Sequence, residues 1–199
     1  MSLISKVEDL RNSPLSETIN SRLEEFKYNT WFSELCFCLL TANSKAKTAI
    51  SIQEELGSEG FLNSSFEDVR ECILMNKHRF HNNKAKFILE ARKFANIKEL
   101  LSGKTEFEAR TFLVENIKGL GLKESSHFLR NVGFENLAIL DRHILNLMLE
   151  HSLINNIKLN KKNYLNYESK LKELANTLNM NMAELDLYLW YLKTGEILK

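Results

Sequence analysis

The sequence predicts an all-α protein. A single proline, Pro14, and seven glycines in 199 residues leave long stretches with little to interrupt a helix. Within those stretches apolar residues recur at three- and four-residue spacing, the helical period, and no segment shows the period of two expected of strands. The first helix runs over 15–28, directly after Pro14, and the second over 31–41, which holds the apolar run "LCFCLL". The same spacing predicts helices over 44–56 and 65–74, where Ser65 before "FED" is a cap. Further helices are expected over 83–101, 105–117, 123–132, 141–152, 163–179 and 182–194. The last opens with Asn181 before "MAELD", so that Glu184 stands where a capping box needs it.

With 44% hydrophobic and 27% charged residues the chain can bury a real core, as one domain or as two interlocked lobes. The opening "MSLISKVEDL" has no long apolar region behind a basic start, and "LCFCLL" is too short to cross a bilayer, so a cytoplasmic location is expected. Cys36, Cys38 and Cys72 read as buried thiols. Three cysteines exclude a four-cysteine zinc site and a four-cysteine iron–sulfur cluster. The five histidines read as polar surface groups, because His78 and His81 have no third and fourth metal ligand near them. A net charge of +1 gives no global vote for nucleic acid. Positive charge is nonetheless gathered at Lys45 and Lys47, over "KHRFHNNKAK" and over "KLNKK". Each cluster alone is equally a solvated face.

The segment "IKGLGLKESSHFLRN" carries the chemistry. A helix ends near Ile117, the chain turns through Gly119 and Gly121, and a second helix begins near Lys123. Glycines allow a foreign backbone to approach, and the start of the second helix presents unpaired N–H groups that attract a phosphate. Main-chain donors of this kind hold DNA without much net positive charge. Gly-x-Gly between helices is also simply a tight connection, and taken singly Lys123 reads as a surface lysine and Asp141 as a cap. The combination is more telling. Lys123 stands at the mouth of the second helix, and in "ILDRHILNLM" Asp141 opens the next one eighteen residues later.

This arrangement resembles the helix–hairpin–helix DNA glycosylases, in which a catalytic aspartate opens a helix after the hairpin. A lysine directly after "GLGL" is similar to the bifunctional members that also cleave the backbone. "FCLLTANSKAKTA" resembles the segment whose amide enters the DNA stack, which implies Asn43 as gap-filler. "RFHNNKAKFILEARK" resembles the turn bearing an intercalating wedge, which implies Phe80, with Arg79 beside it on the DNA. The compact length and the ending "LYLWYLKTGEILK" look most like the archaeal-type 8-oxoguanine DNA glycosylase/AP lyases. In that family a C-terminal lysine and a tryptophan nine positions earlier help form the base pocket, which implies Lys199 and Trp190. Lys118 replaces the proline that often introduces the hairpin.

The resemblance implies two helical lobes with a DNA-binding cleft between them. One spans 31–140 and contains the helix–hairpin–helix at 105–132; the other combines 1–30 with 141–199. It further implies a monomeric, nucleoid-associated repair enzyme acting on double-stranded DNA containing 8-oxoguanine, with no membrane role, no metal and no cofactor beyond a monovalent cation that hairpin carbonyls could hold. Lys123 would form a Schiff base with the sugar and Asp141 would stabilise its developing charge. A relative acting on another oxidised base and a noncatalytic helix–hairpin–helix module are the alternatives.

Overall fold

The computed structural model of the protein describes residues 2–199. Its helices are α1 (Leu3–Arg11), α2 (Leu15–Phe26), α3 (Trp31–Thr41), α4 (Ala46–Asn63), α5 (Phe66–Met75), α6 (His81–Ala91), α7 (Ile97–Leu101), α8 (Glu106–Asn116), α9 (Leu122–Asn131), α10 (Arg142–Glu150), α11 (Lys161–Thr177) and α12 (Met182–Thr194). A short 3-10 turn, Arg92–Phe94, follows α6, and the described residues contain no strand. No helix among them is long and apolar enough to cross a membrane.

Contacts divide the chain into two compact units, Asn29–Phe128 and the combination of Met1–Tyr28 with Leu129–Lys199. In the continuous unit α3 forms the centre. Every residue from Phe32 to Thr41 is buried, which explains a helix apolar all round rather than along one stripe. Helices α4, α6 and α7 pack against it, and α5 lies against α4 and α6. Cys36, Cys38 and Cys72 are free and buried, and burial pushes the Cys36 and Cys72 thiols well above the ordinary range.

In the discontinuous unit α12 packs with α1, α2, α10 and α11, burying Leu185, Leu187, Tyr188 and Leu189. The strand-free stretch after α9 belongs here. Glu168 Oε1 accepts the Ala138 N–H at 2.9 Å, and Tyr164 donates its hydroxyl to the Ala138 carbonyl at 2.6 Å. These bonds tie Ala138 to α11; the unit itself resumes at Leu129, whereas the resemblance implied a limit at 140.

Three elements differ from the sequence expectation. Helix α1 was not anticipated: it buries only Leu3 and Val7, too few for a visible period, and Ser2 caps it by accepting the Ser5 N–H. The helix expected over 44–56 breaks at Gly57 (φ 60°, ψ −177°) and then resumes to Asn63, where Phe61 is buried. The expected helix over 83–101 is divided among α6, the 3-10 turn and α7. Arg92, at the division, donates to the carbonyls of Phe61 and Ser64, while Ile97 and Leu101 bury from a new helix.

Candidate active site

The hairpin is built from its flanking helices. Thr105 and Glu108 form a capping box that starts α8, and Ile117 ends it, its N–H donating to the Leu113 carbonyl. The turn closes with the Leu120 N–H donating to Ile117 O at 3.2 Å, and α9 opens with the Ser125 N–H donating to Gly121 O at 3.0 Å. Ile117 and Leu120 are buried, so the apolar residues of the turn anchor it. Arg110 of α8 is buried and donates to Ser126 Oγ of α9 at 3.2 Å, tying the two helices together.

Gly119 has φ 97°, and a Cβ there would stand 2.6 Å from Phe87 Cδ2 and 3.1 Å from Leu39 Cδ2. Both its conformation and its contact with α3 and α6 therefore require glycine. Gly121 serves the hairpin differently, its N–H donating to Glu124 Oε2 at 3.2 Å.

Lys123 projects from the first turn of α9 with its side chain 23% exposed, and its Nζ lies 3.0 Å from Glu124 Oε1. One carboxylate thus serves both the hairpin N–H and the candidate nucleophile. Behind them Lys84 of α6, only 5% exposed, donates to the Leu39 carbonyl at 2.5 Å. Burial depresses the Lys84 amine to about 8, Lys123 pushes the same way, and Glu124 opposes.

Asn43 is exposed and has a left-handed backbone, φ 60°, just after α3. Phe80 is 37% exposed, in the turn that leads into α6, and the Arg79 guanidinium lies 4.6 Å from its ring centroid. Asn43, Phe80, Arg79, Gly119, Gly121 and Lys123 all belong to the continuous unit.

The discontinuous unit holds the others. Asp141 is the N-cap of α10, its Oδ1 accepting the Ile144 N–H at 2.8 Å, and it is half-buried. The cap engages Oδ1 and not Oδ2. Asp186 of α12 is ion-paired with Arg130, and burial raises its carboxyl, Arg130 opposing and Asp141 adding to the rise. Trp190, one helical turn beyond Asp186, is half-buried; its indole meets His143 edge-on at 5.1 Å, and its Nε1 is buried without a hydrogen-bond partner. Gly195 ends α12 in the left-handed region, and the chain runs on to a half-buried Lys199.

Two readings of the histidines are corrected. His78 and His127 are buried, not surface groups: His78 bonds the Leu40 carbonyl and His127 packs edge-on against Phe37 at 5.6 Å. Sequence reasoning also missed Glu124 and Lys84. The signal for Glu124 was its place three residues after Gly121, as in a capping box. Lys84 had none, because it lies in a basic cluster whose other members Lys77, Arg79 and Lys86 are exposed. Among the described residues no group of three or more His, Cys, Asp or Glu could hold a metal ion.

Two helices joined through a glycine turn packed on a buried helix, with a lysine at the mouth of the second, define a helix–hairpin–helix protein. Residues 18–180 match the family described as 8-oxoguanine DNA glycosylase. The 8-oxoguanine DNA glycosylase/AP lyase of Methanocaldococcus jannaschii is 46% identical over 100% of both chains. That of Korarchaeum cryptofilum is 41% identical, covering 99% of this chain and 98% of its own. The crystal structure of the M. jannaschii enzyme in complex with a 15mer DNA containing 8-oxoguanine matches with a TM-score of 0.96, at 46% identity over 100% of both chains. The 8-oxoguanine DNA glycosylase of Thermotoga maritima gives a TM-score of 0.93 at 40% identity, covering 99% of this chain and 98% of its own. The chain belongs to the 8-oxoguanine DNA glycosylase family.

Proposed function

We propose that this protein removes 8-oxoguanine from duplex DNA and then nicks the strand at the resulting abasic site. What carries the reading is the end-to-end match, at 46% identity, to a relative named 8-oxoguanine DNA glycosylase/AP lyase. A base inside a duplex is out of reach, so it is first extruded, and the hole it leaves must be filled. Phe80 is the wedge that unstacks the duplex, Asn43 offers hydrogen bonds in place of the lost base, and Arg79 contacts the backbone. The N–H groups at the start of α9 grip a phosphate, taking over from Glu124 at Gly121.

Bond breaking begins when the Lys123 amine attacks C1′. Its proton has an acceptor at hand in Glu124, 3.0 Å away. The C1′–N9 bond breaks, the electron pair leaves with the base, and the base takes up a proton. Positive charge develops on the sugar, and the Asp141 carboxylate stabilises it. The ring oxygen then departs from C1′, leaving an imine between Lys123 and the sugar. The imine acidifies C2′; loss of that proton drives out the 3′ phosphate, and water finally releases the lysine. The reading requires the amine and the carboxylate to act on one deoxyribose.

Selectivity rests on position 7 of the purine, where 8-oxoguanine has an N–H and guanine a lone pair. The terminal carboxylate of Lys199 accepts from that N–H while Trp190 lies against the ring; guanine would leave the acceptor unsatisfied. Excision measured on a panel of duplexes containing 8-oxoguanine, an oxidised pyrimidine or only undamaged bases tests this. Excision of 8-oxoguanine should exceed that of guanine by at least about 10²-fold. Faster release of the oxidised pyrimidine would assign the site to another lesion.

A further inference from the structure

The last carbonyls of α3 are satisfied by side chains. Thr41 Oγ1 donates to Cys38 O at 2.9 Å, Lys84 Nζ to Leu39 O at 2.5 Å and His78 Nε2 to Leu40 O at 2.9 Å. Carbonyls in a last turn have no partner within their helix, so an outside donor both satisfies them and fixes where the helix ends. Two of these three donors come from α6 and from the turn before it. From this end of α3 the chain passes through Ala42 to Asn43.

His78 makes a second bond on the opposite edge of its ring: Nδ1 accepts the Phe80 N–H at 3.2 Å. A carbonyl can only accept and an N–H can only donate, so these two bonds require a neutral imidazole with its proton on Nε2. The ring is 2% exposed, and the two bonds join the turn that carries Phe80 to the helix end that leads to Asn43.

We infer that His78 is a positioning residue that makes the Phe80 turn and the Asn43 loop one rigid device, so that both side chains enter the duplex in register. The inference rests on the reading of Phe80 as wedge and Asn43 as gap-filler. Groups that act at one base step must be held within a fraction of an ångström, and two loops moving independently would not be. His78 joins them through one buried ring, with Lys84 as a second strut to the same helix end. An imidazolium could not do so, because its Nδ1–H would face the Phe80 N–H, donor against donor. The cations bearing on the ring, Lys84 from α6 and Arg79 from the turn, both disfavour that second proton.

The test compares nicking of a preformed abasic site in duplex and in single-stranded DNA, with thermal stability followed in parallel. In His78→Asn the side chain can still accept the Phe80 N–H two residues on but cannot reach Leu40, so the tie is cut. The duplex rate should fall about tenfold relative to the single-strand rate, the effect of one lost buried hydrogen bond. His78→Gln restores a donor at the Nε2 position and should keep the ratio within about threefold of native. In a Phe80→Ala background His78→Asn should lose most of its effect. If Phe80→Ala lowers the ratio while His78→Asn and His78→Gln slow both substrates equally, in step with stability, the inference is overturned and the wedge reading stands. If Phe80→Ala leaves the ratio unchanged, both fall. Should His78→Asn not fold, the native protein answers through pH: its ratio should drop as the imidazole takes a second proton, and a ratio flat with pH overturns the inference.

Discussion

On the proposed reading Asp141 serves both the fold and the chemistry. Its Oδ1 caps α10, and the cap alone would justify an aspartate there. Asparagine caps about as well as aspartate, so Asp141→Asn separates the two roles, and stability should change by less than about 0.5 kcal/mol. If Asp141 acts on the sugar as proposed, loss of its charge should slow excision on the order of 10²-fold. Thermal melting beside a single-turnover assay measures both, and parallel losses would reduce Asp141 to a cap. His78 makes a pH prediction. Burial, the largest influence, depresses its pKa below the ordinary 6.5, Lys84 and Arg79 add to the depression, and the Leu40 bond opposes. The unfolded chain therefore takes up the proton first as pH falls. His78 contributes stability that is present above pH 6.5 and lost as pH drops through its lower folded value, and His78→Gln should flatten that decline in a pH series of denaturant melts. The places of Lys123 in the first turn of α9 and of Asp141 at the N-cap of α10 were legible in the sequence because glycines and a cap mark those helix starts. Lys84 and His78 bond partners that only the packing brings near, the Leu39 and Leu40 carbonyls, and no spacing rule reaches them, whereas Glu124 bonds the Gly121 N–H three residues back, which a capping-box rule reaches.

Glycine plays different parts in different turns. At Gly119 a methyl group would meet Phe87 as well as a left-handed backbone; at Gly57 it would meet nothing within 4 Å, and only the backbone objects. Gly57→Ala should cost about 1–3 kcal/mol through strain alone. Gly119→Ala should cost more, since strain and the collision with Phe87 act together. It should also weaken binding to an abasic duplex, which Gly57→Ala should not. Equal binding by both variants would detach the hairpin from DNA. Helices α8, α9, α10 and α12 were readable to within a residue or two because caps or glycines bound them, and α3 because its apolar run fills it. The region 83–101 was not, because its division turns on Arg92 reaching the carbonyls of Phe61 and Ser64. Periodicity continues through such a break, and only tertiary contacts reveal it.

Across the whole molecule a net charge of +1 leaves recognition, on the proposed reading, to local devices: the hairpin N–H groups, a wedge, a pocket and exposed lysines outside the buried Lys84. The proposal places Lys199 in this set. Residues added beyond Lys199 would remove its α-carboxylate from the end of the chain, and should slow excision of 8-oxoguanine more than nicking of a preformed abasic site. Equal slowing would exclude Lys199 from base reading. The central claim is that one amine performs both steps on the sugar, and borohydride trapping on a labelled 8-oxoguanine duplex tests it most directly. The native protein should give a covalent protein–DNA adduct, Lys123→Gln should give none, and Asp141→Asn should give it slowly. No adduct from the native protein, or an adduct that survives Lys123→Gln, would contradict the account.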